Sequence, residues 1–419
     1  MKAKRQTPEN GHACPLPDSE LENAPSFGSW KNQRIADLTV RTSQRNPATN
    51  PERRFTYIDI SAVSNISFRI TEPADLLGAE APSRARKVVH AGDVLFATVR
   101  PTLKRVALVP QRLNDQIAST GYIVLRADPE KLDASYLYFR LLTDEFIARM
   151  RELERGASYP AVRDTDVLNE EIPIPPLHEQ QKIAAVLGQV QRALEQQERL
   201  IALTTELKKT LLNRFFTKGL LGEPQKKTGI GPVPKTWRVS RLDEFCILQR
   251  GFDITKKEQA PGNVPVVSSG GIASYHNVAK VKGPGVVVGR KGTLGKVHYV
   301  DVDYWPHDTT LWVKDFKRND PLFTSYFLKT LRFERYNSGA SNPTLNRNTI
   351  HAELVAYPPK QEQEEIGRIL KAVEDKARVH ECKYAALTAL FRTLLHQLMT
   401  AQIRVDHLNL PELETAVME

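Results

Sequence analysis

Two stretches of this chain read alike: IPPLHEQQKI, Ile174 to Ile183, and YPPKQEQEEI, Tyr357 to Ile366. Both follow x-Pro-Pro-x-x-Glu-Gln-x-x-Ile. Aligning Glu179 with Glu362 sets a shift of 183 (362 − 179) that holds without gaps well beyond the motif. Ile183 meets Ile366, Leu187 meets Leu370, Val190 meets Val373 and Glu198 meets Glu381. Further on, Ala202 meets Ala385, Thr205 meets Thr388, and Thr210-Leu211-Leu212 meets Thr393-Leu394-Leu395. Upstream, GASYPAVR (Gly156 to Arg163) meets GASNPTLN (Gly339 to Asn346). A match of this extent marks an internal duplication. Farther upstream the spacing drifts, yet RPTLKRV from Arg100 still resembles KGTLGKV from Lys291, and SWKNQRIADL near Trp30 resembles TWRVSRLDEF near Trp237. Fixed tails behind drifting bodies suggest two readers of different targets on one frame.

The tails predict long helices. In the second, Ile366, Leu370, Val373, Ala377, His380, Tyr384, Leu387, Phe391, Leu394 and Leu398 alternate steps of four and three. That is the seam of a coiled coil. The first runs Ile183, Leu187, Val190, Leu194, Gln197 and Ile201, then is expected to shift register towards Leu207, Leu211 and Phe215. Pro175-Pro176 and Pro358-Pro359 stand just ahead, where proline can precede a helix but not lie within it. Each helix of about 40 residues would be roughly 60 Å long. Such a stripe must be buried, and the nearest matching stripe is the other copy, so an antiparallel two-helix coiled coil is predicted. The plainer arrangement packs each helix on its own body. Gln197 and His380 fall on the seam and read as polar residues that fix register rather than as ligands.

The resulting plan is α+β: two similar globular domains separated by two long helices, with a pseudo-two-fold repeat. Residues 1–27 form an N-terminal arm, 28–173 a first domain, 174–218 a central helical region and 219–234 a Gly- and Pro-punctuated linker. Residues 235–357 form a second domain, 358–403 a C-terminal helical region and 404–419 a tail. Two readers on one face of B-DNA need centres about one helical turn, roughly 34 Å, apart, which a strut of this length accommodates.

An apolar fraction of 41% allows sizeable cores. Net charge is +10 with a pI near 9.3, a mild bias towards a polyanionic partner, although ordinary solubility charge explains the figure equally well. No apolar run is long enough to span a bilayer and no leader opens the chain, so a soluble cytoplasmic protein is expected. Cys14, Cys246 and Cys382 form no CxxC pair and read as reduced thiols.

Catalytic motifs fail one by one. HEQQK from His178 opens like a zinc-protease motif but ends in Lys182 instead of His. YPP at Tyr357 matches only part of the Asn/Asp-Pro-Pro-Tyr loop of amino-methyltransferases. GPGVVVGRKGTLG (Gly283 to Gly295) lacks the Gly-Lys-Ser/Thr end of a phosphate loop and reads as a strand and a tight turn. The acidic PDSELE (Pro17 to Glu22) has no following lysine, and no metal set is legible. The chain reads as a binding module.

The candidate reading surface sits on the turns after the drifting strands. Arg290, Lys291, Thr293 and Lys296 lie in one, and Arg100, Thr102, Lys104 and Arg105 in the other. Basic and hydroxyl groups on such turns hold phosphates, and arginine can also fork onto guanine. Asn342, Asn346 and Arg347 in NPTLNRN add groups suited to adenine and phosphate, and Tyr159 and Arg163 occupy the matching stretch of the first half. Taken singly each is an ordinary polar turn residue; the argument is that the same loops are basic or polar in both halves.

Together these residues resemble one family, the specificity (DNA-recognition) subunits of type I restriction–modification enzymes. The resemblance rests on the two PPxxEQxxI helix starts at Pro175 and Pro358, on the GAS-x-P loop before each, and on PxxW from Pro234 to Trp237. It covers nearly the whole chain. It implies two target-recognition domains, each reading half of a bipartite site in double-stranded DNA. It also implies helical regions that space them and dock two modification subunits, with Glu179, Gln180, Glu362 and Gln363 opening the partner-holding helices. Those partners would bring S-adenosylmethionine and methylate adenine; restriction subunits would add ATP, Mg and cleavage. This chain would hold no cofactor or metal. The competing readings are a coiled-coil scaffold with two protein-binding heads, and a nuclease or methyltransferase with an unrecognised site.

Overall fold

The computed structural model of the chain describes residues 30–336 and 344–405. These divide into two compact units, one of residues up to 196 with those from 385 on, the other of residues 197–384.

Unit 1 opens with β1 (Lys31–Arg34), a single turn α1 (Ile35–Leu38) and β2 (Thr39–Val40). Its body runs β3 (Arg54–Ile58), β4 (Ala74–Leu77), β5 (Ala85–Val89), β6 (Val94–Ala97), β7 (Val106–Leu108), β8 (Gln116–Ser119) and β9 (Tyr122–Ala127). Then come α2 (Ala134–Leu142), α3 (Asp144–Leu153), α4 (Asp164–Asn169), β10 (Glu171–Ile174) and the start of α5 (Leu177–Lys218). Two four-stranded sheets form, in orders β2-β9-β6-β7 and β4-β3-β8-β5, and β1 pairs with β10. Among the described strand pairs of this unit only β3 and β8 run parallel.

The sequence VLFA of β6 explains the layering. Successive strand residues face opposite ways. Val94 and Phe96 accordingly join the core under α2 and α3, while Leu95 and Ala97 join a second core with Ile58, Val89 and Ala118 of the other sheet. A strand covered on both faces has no polar alternation, hence its continuous apolar run.

Unit 2 contains the rest of α5 and repeats this plan. After the hairpin β11 (Gln225–Thr228) and β12 (Gly231–Pro234) come β13 (Arg238–Arg241), α6 (Leu242–Phe245) and β14 (Ile247–Arg250). The body follows as β15 (Val264–Ser268), β16 (Gly271–His276), β17 (Gly285–Gly289), β18 (Val297–Val300), β19 (Trp305–Pro306) and β20 (Thr310–Asp315). It ends with α7 (Pro321–Thr330), α8 (Arg347–His351), β21 (Leu354–Tyr357) and α9 (Lys360–Met399). Sheet order β14-β20-β17-β18 copies β2-β9-β6-β7, β13-β21 copies β1-β10, and the parallel pair β15-β19 copies β3-β8. In GVVVG of β17, Val286 and Val288 face the helix-side core and Val287 the other, as in β6. The stretch expected as a linker thus carries a hairpin.

Inside each unit the segments of α5 and α9 run antiparallel. In unit 1, Ile183, Ala184 and Leu187 share a core with Phe391, Leu398 and Met399. In unit 2, Phe215 shares one with Ile366 and Leu370, while Lys208 bonds Glu374 at 2.7 Å and Gln197 bonds His380 Nδ1 at 2.8 Å. Gln197 and His380 occupy the same position of the two repeat copies. One seam expectation fails. Leu207 is 47% exposed, and Thr204 and Lys208 take the inward places instead. The four-three spacing therefore continues through Gln197, Ile201, Thr204, Lys208, Leu211 and Phe215 with no shift. The seam is polar at this level, so apolar spacing alone pointed to the wrong leucine.

Glutamine fixes each body to its helix. Gln180 Nε2 donates to the carbonyls of Lys131 and Pro175, both at 3.0 Å, and its Oε1 accepts from Asp133 N–H at 2.8 Å. Gln363 repeats the set, donating to Asn319 Oδ1 at 2.7 Å and the Pro358 carbonyl at 2.9 Å and accepting from Asp320 N–H at 2.9 Å. Asp133 and Asp320 in turn cap α2 and α7. Glu179 accepts from Trp30 Nε1 at 3.2 Å and from Arg404 Nη2 at 3.1 Å; Arg404 Nε also lies 2.8 Å from its other oxygen, an ion-pair contact outside hydrogen-bond geometry. Glu362 accepts from Leu220 N–H at 2.9 Å and Trp237 Nε1 at 3.4 Å. Glu179, Gln180 and Gln363 are each 1% exposed. The Glu-Gln pairs expected to hold partners are therefore committed within their own unit. Among the described residues no helix is long and apolar enough to cross a membrane.

Buried groups stripped of their partners cost roughly 1–3 kcal/mol each. Gln180→Leu should destabilise the chain by about 3 kcal/mol in denaturant unfolding, and Gln180→Glu should not rescue it, because a carboxylate cannot donate to two carbonyls.

Candidate nucleic-acid interface

In both units the turn that leaves the middle strand is pinned to the loop ahead of a short helix. In unit 1 the turn between β6 and β7 is held by Arg100 N–H to Pro160 O at 2.7 Å and by Val162 N–H to Thr98 O at 2.9 Å. Arg100 and Lys104 both have left-handed backbones, with φ of 51° and 52°. The Arg100 guanidinium lies over the Tyr159 ring, 5.2 Å from its centroid. In unit 2 the turn between β17 and β18 is held by Leu345 N–H to Arg290 O at 3.1 Å and by a bridge between Lys291 and Thr344. Arg290 and Lys291 N–H also donate to Thr309 O at 2.8 and 3.0 Å. Gly289 is required here: a Cβ would stand 2.0 Å from the Thr293 carbonyl oxygen.

The predicted residues thus gather on one surface per unit, but not all are free. In unit 1, Arg100, Tyr159 and Arg163 are exposed and Thr102 is half-buried. Arg105 is spent on the carbonyls of Ile60, Ser61 and Val63, and Lys104 pairs with Asp144. In unit 2, Lys291, Thr293, Lys296, Asn346 and Arg347 are exposed. Asn346 already accepts from Asn348 N–H at 3.0 Å as the cap of α8, and Arg290 is half-buried with Nη1 3.4 Å from Asp308 O. Asn342 lies outside the described residues.

Charge pairing sorts the cations. Arg155 with Asp166, Lys87 with Asp164 and Arg250 with Asp253 and Asp308 are neutralised in place. The hydrogen bond from Arg155 holds the Asp166 carboxyl below its ordinary range. Among the described residues, Arg100, Arg163, Lys291, Lys296 and Arg347 have no carboxylate at ion-pair distance. These remain to meet an outside anion.

Sequence reading passed over the turn Ser268-Ser269-Gly270-Gly271. Its Gly270 carbonyl accepts from Lys296 Nζ at 3.1 Å, and its Ser269 carbonyl lies 3.1 Å from His298 Nε2. Burial pushes the His298 imidazole down from its usual value and so favours its uncharged form. The paired glycines marked a turn, but nothing in them told which strand end it would meet. Among the described residues no group of three or more His, Cys, Asp and Glu side chains could hold a metal ion.

Comparison with known proteins gives one consistent result. A family model described as the type I restriction modification DNA specificity domain matches twice, over residues 32–205 and 234–389. MjaX of Methanocaldococcus jannaschii, which carries the name of a type I restriction enzyme specificity subunit, is 21% identical over 410 residues, 90% of this chain and 94% of that one. A solved chain from a study of complex assembly and conformational transition of the type I restriction–modification system is 26% identical, with a TM-score of 0.50, covering 90% of this chain and 99% of its own. The S subunit from M. genitalium, 18% identical, shares the fold with a TM-score of 0.65 over 91% of this chain and 98% of its own. With both repeat copies matched, the chain belongs to the type I restriction–modification DNA specificity family and is a specificity subunit, the DNA-recognition component and not the catalytic one.

Proposed function

We propose that residues 28–173 and 235–357 each read one half of a bipartite site in double-stranded DNA, and that the helices set the unread gap and carry two modification subunits. The observation that carries this reading is the repeated surface: among the described residues, cations with no carboxylate at ion-pair distance stand on the same strand-end turn (Arg100; Lys291 and Lys296) and at the start of the same short helix (Arg163; Arg347) in both units. Such groups can neutralise phosphates without first breaking an internal pair, and side chains beside them can reach base edges. The bodies drift in sequence while the frame does not, as expected if each reads different bases. S-adenosylmethionine and adenine methylation would belong to the modification subunits; ATP, Mg and cleavage would belong to restriction subunits.

We propose that partners dock on exposed helix residues, because Glu179, Gln180 and Gln363 are buried and Glu362 is half-buried. Leu207 and Leu390 are the same position of the two copies, and they are 47% and 45% exposed. Leu200 and Leu203, 36% and 56% exposed, extend the stripe beside Leu207. The positions matching Leu200 and Leu203 in the second copy are Lys383 and Ala386, so what the two copies share is one exposed leucine each, one contact point per docked subunit.

Two outcomes follow. Replacing residues 28–173 by the corresponding body of another specificity subunit should change one half-site of the modified motif and leave the other as it was; a change in both would sink the two-reader account. Leu207→Arg with Leu390→Arg should weaken capture of modification subunits at least tenfold in a pull-down or titration while leaving the thermal unfolding of the chain within about 2 °C. Unchanged capture would place docking elsewhere.

A further inference from the structure

Three observations coincide at Arg100 and at no other described cation of unit 1. Its backbone is left-handed, φ 51°, a conformation that residues with a Cβ seldom adopt, and it is held there by the bond to Pro160 O. Its guanidinium lies over Tyr159, whose ring is 72% exposed and so does not serve to fill a core. Among the described residues no carboxylate lies at ion-pair distance from it, whereas nearby Lys104 pairs with Asp144 and Arg155 with Asp166.

An arginine laid over an aromatic ring keeps its charge and its N–H edge while losing much of its rotational freedom. No hydrogen bond within the described residues occupies the Arg100 guanidinium. A phosphate contact would need only charge, and a mobile lysine would supply it. A planar fork held in one attitude matches the coplanar O6 and N7 acceptors of guanine in the major groove. Arg290 in unit 2 lacks these properties, being half-buried and directed to the Asp308 carbonyl. Resting on the two-reader function proposed above, we infer that Arg100, oriented by Tyr159, reads a guanine in the half-site taken by unit 1.

The test uses the full chain in complex with its modification subunits, with modified-base sequencing of every site that the complex modifies. Arg100→Lys keeps the charge and loses the fork. It should relax one guanine position of one half-site, so that sites with another base there gain modification about tenfold or more relative to the intended site. Tyr159→Phe should keep the wild-type motif, and Tyr159→Ala should relax the same position as Arg100→Lys. An unaltered second half-site in each variant shows that the complex is folded. The inference is overturned if Arg100→Lys leaves every base preference as it was, lowers modification at all sites alike, or relaxes a position other than guanine. A wild-type complex that modifies no two-part motif overturns the parent function as well, and that result appears before any variant is made.

Discussion

Each unit hangs on one buried carboxamide. Gln180 and Gln363 stand one turn into their helices, and each uses both donors and its acceptor to tie the helix start, the preceding proline carbonyl and the cap of a body helix into one rigid corner. Few side chains can do this. A carboxylate has no donor and an ammonium no acceptor; only an amide offers both on one flat group of this length. The adjacent glutamate then gathers a tryptophan indole and the close of the other helix segment: Trp30 and Arg404 in unit 1, Trp237 and Leu220 N–H in unit 2. With its body fixed in this way to a helix that cannot bend easily, a reading loop has a defined position from which to act.

The same economy shapes the charge distribution. A positively charged surface binds nucleic acid poorly if its cations already sit on carboxylates, because each pair must be broken to release the charge. In this chain pairs such as Lys87 with Asp164, Lys104 with Asp144 and Arg250 with Asp308 are closed beside the turns, whereas among the described residues Arg100, Arg163, Lys291, Lys296 and Arg347 have no carboxylate at ion-pair distance. Net charge, +10, is the weaker statement of this fact. Placement matters more, since screening limits exposed charges to a range of about 8–10 Å at physiological salt.

Much of the architecture was legible because it is periodic. The repeat, the two helices, the proline stops and the strand-then-turn reading of GVVVGRKG all follow from spacing. What spacing could not supply was the direction in which a polar side chain points. Glu179 and Gln180 open a helix, where an exposed side chain and a buried clamp look the same in sequence; in the structure both are 1% exposed and bonded within their unit. Leu207 looked like a seam residue because the true seam residues, Thr204 and Lys208, are polar and drop out of an apolar pattern. In the candidate site the segments were found but their commitments were not. That Arg105 would spend its donors on the carbonyls of Ile60 to Val63, some forty residues away, depends on a sheet-to-sheet contact that no local pattern encodes.

The account stands or falls on DNA recognition by this chain. The most direct measurement is modified-base sequencing of cells that express the modification subunits, with and without this chain. A single two-part motif with an unread gap should be modified in its presence and unmodified in its absence. An identical set of modified motifs in both conditions would contradict the account.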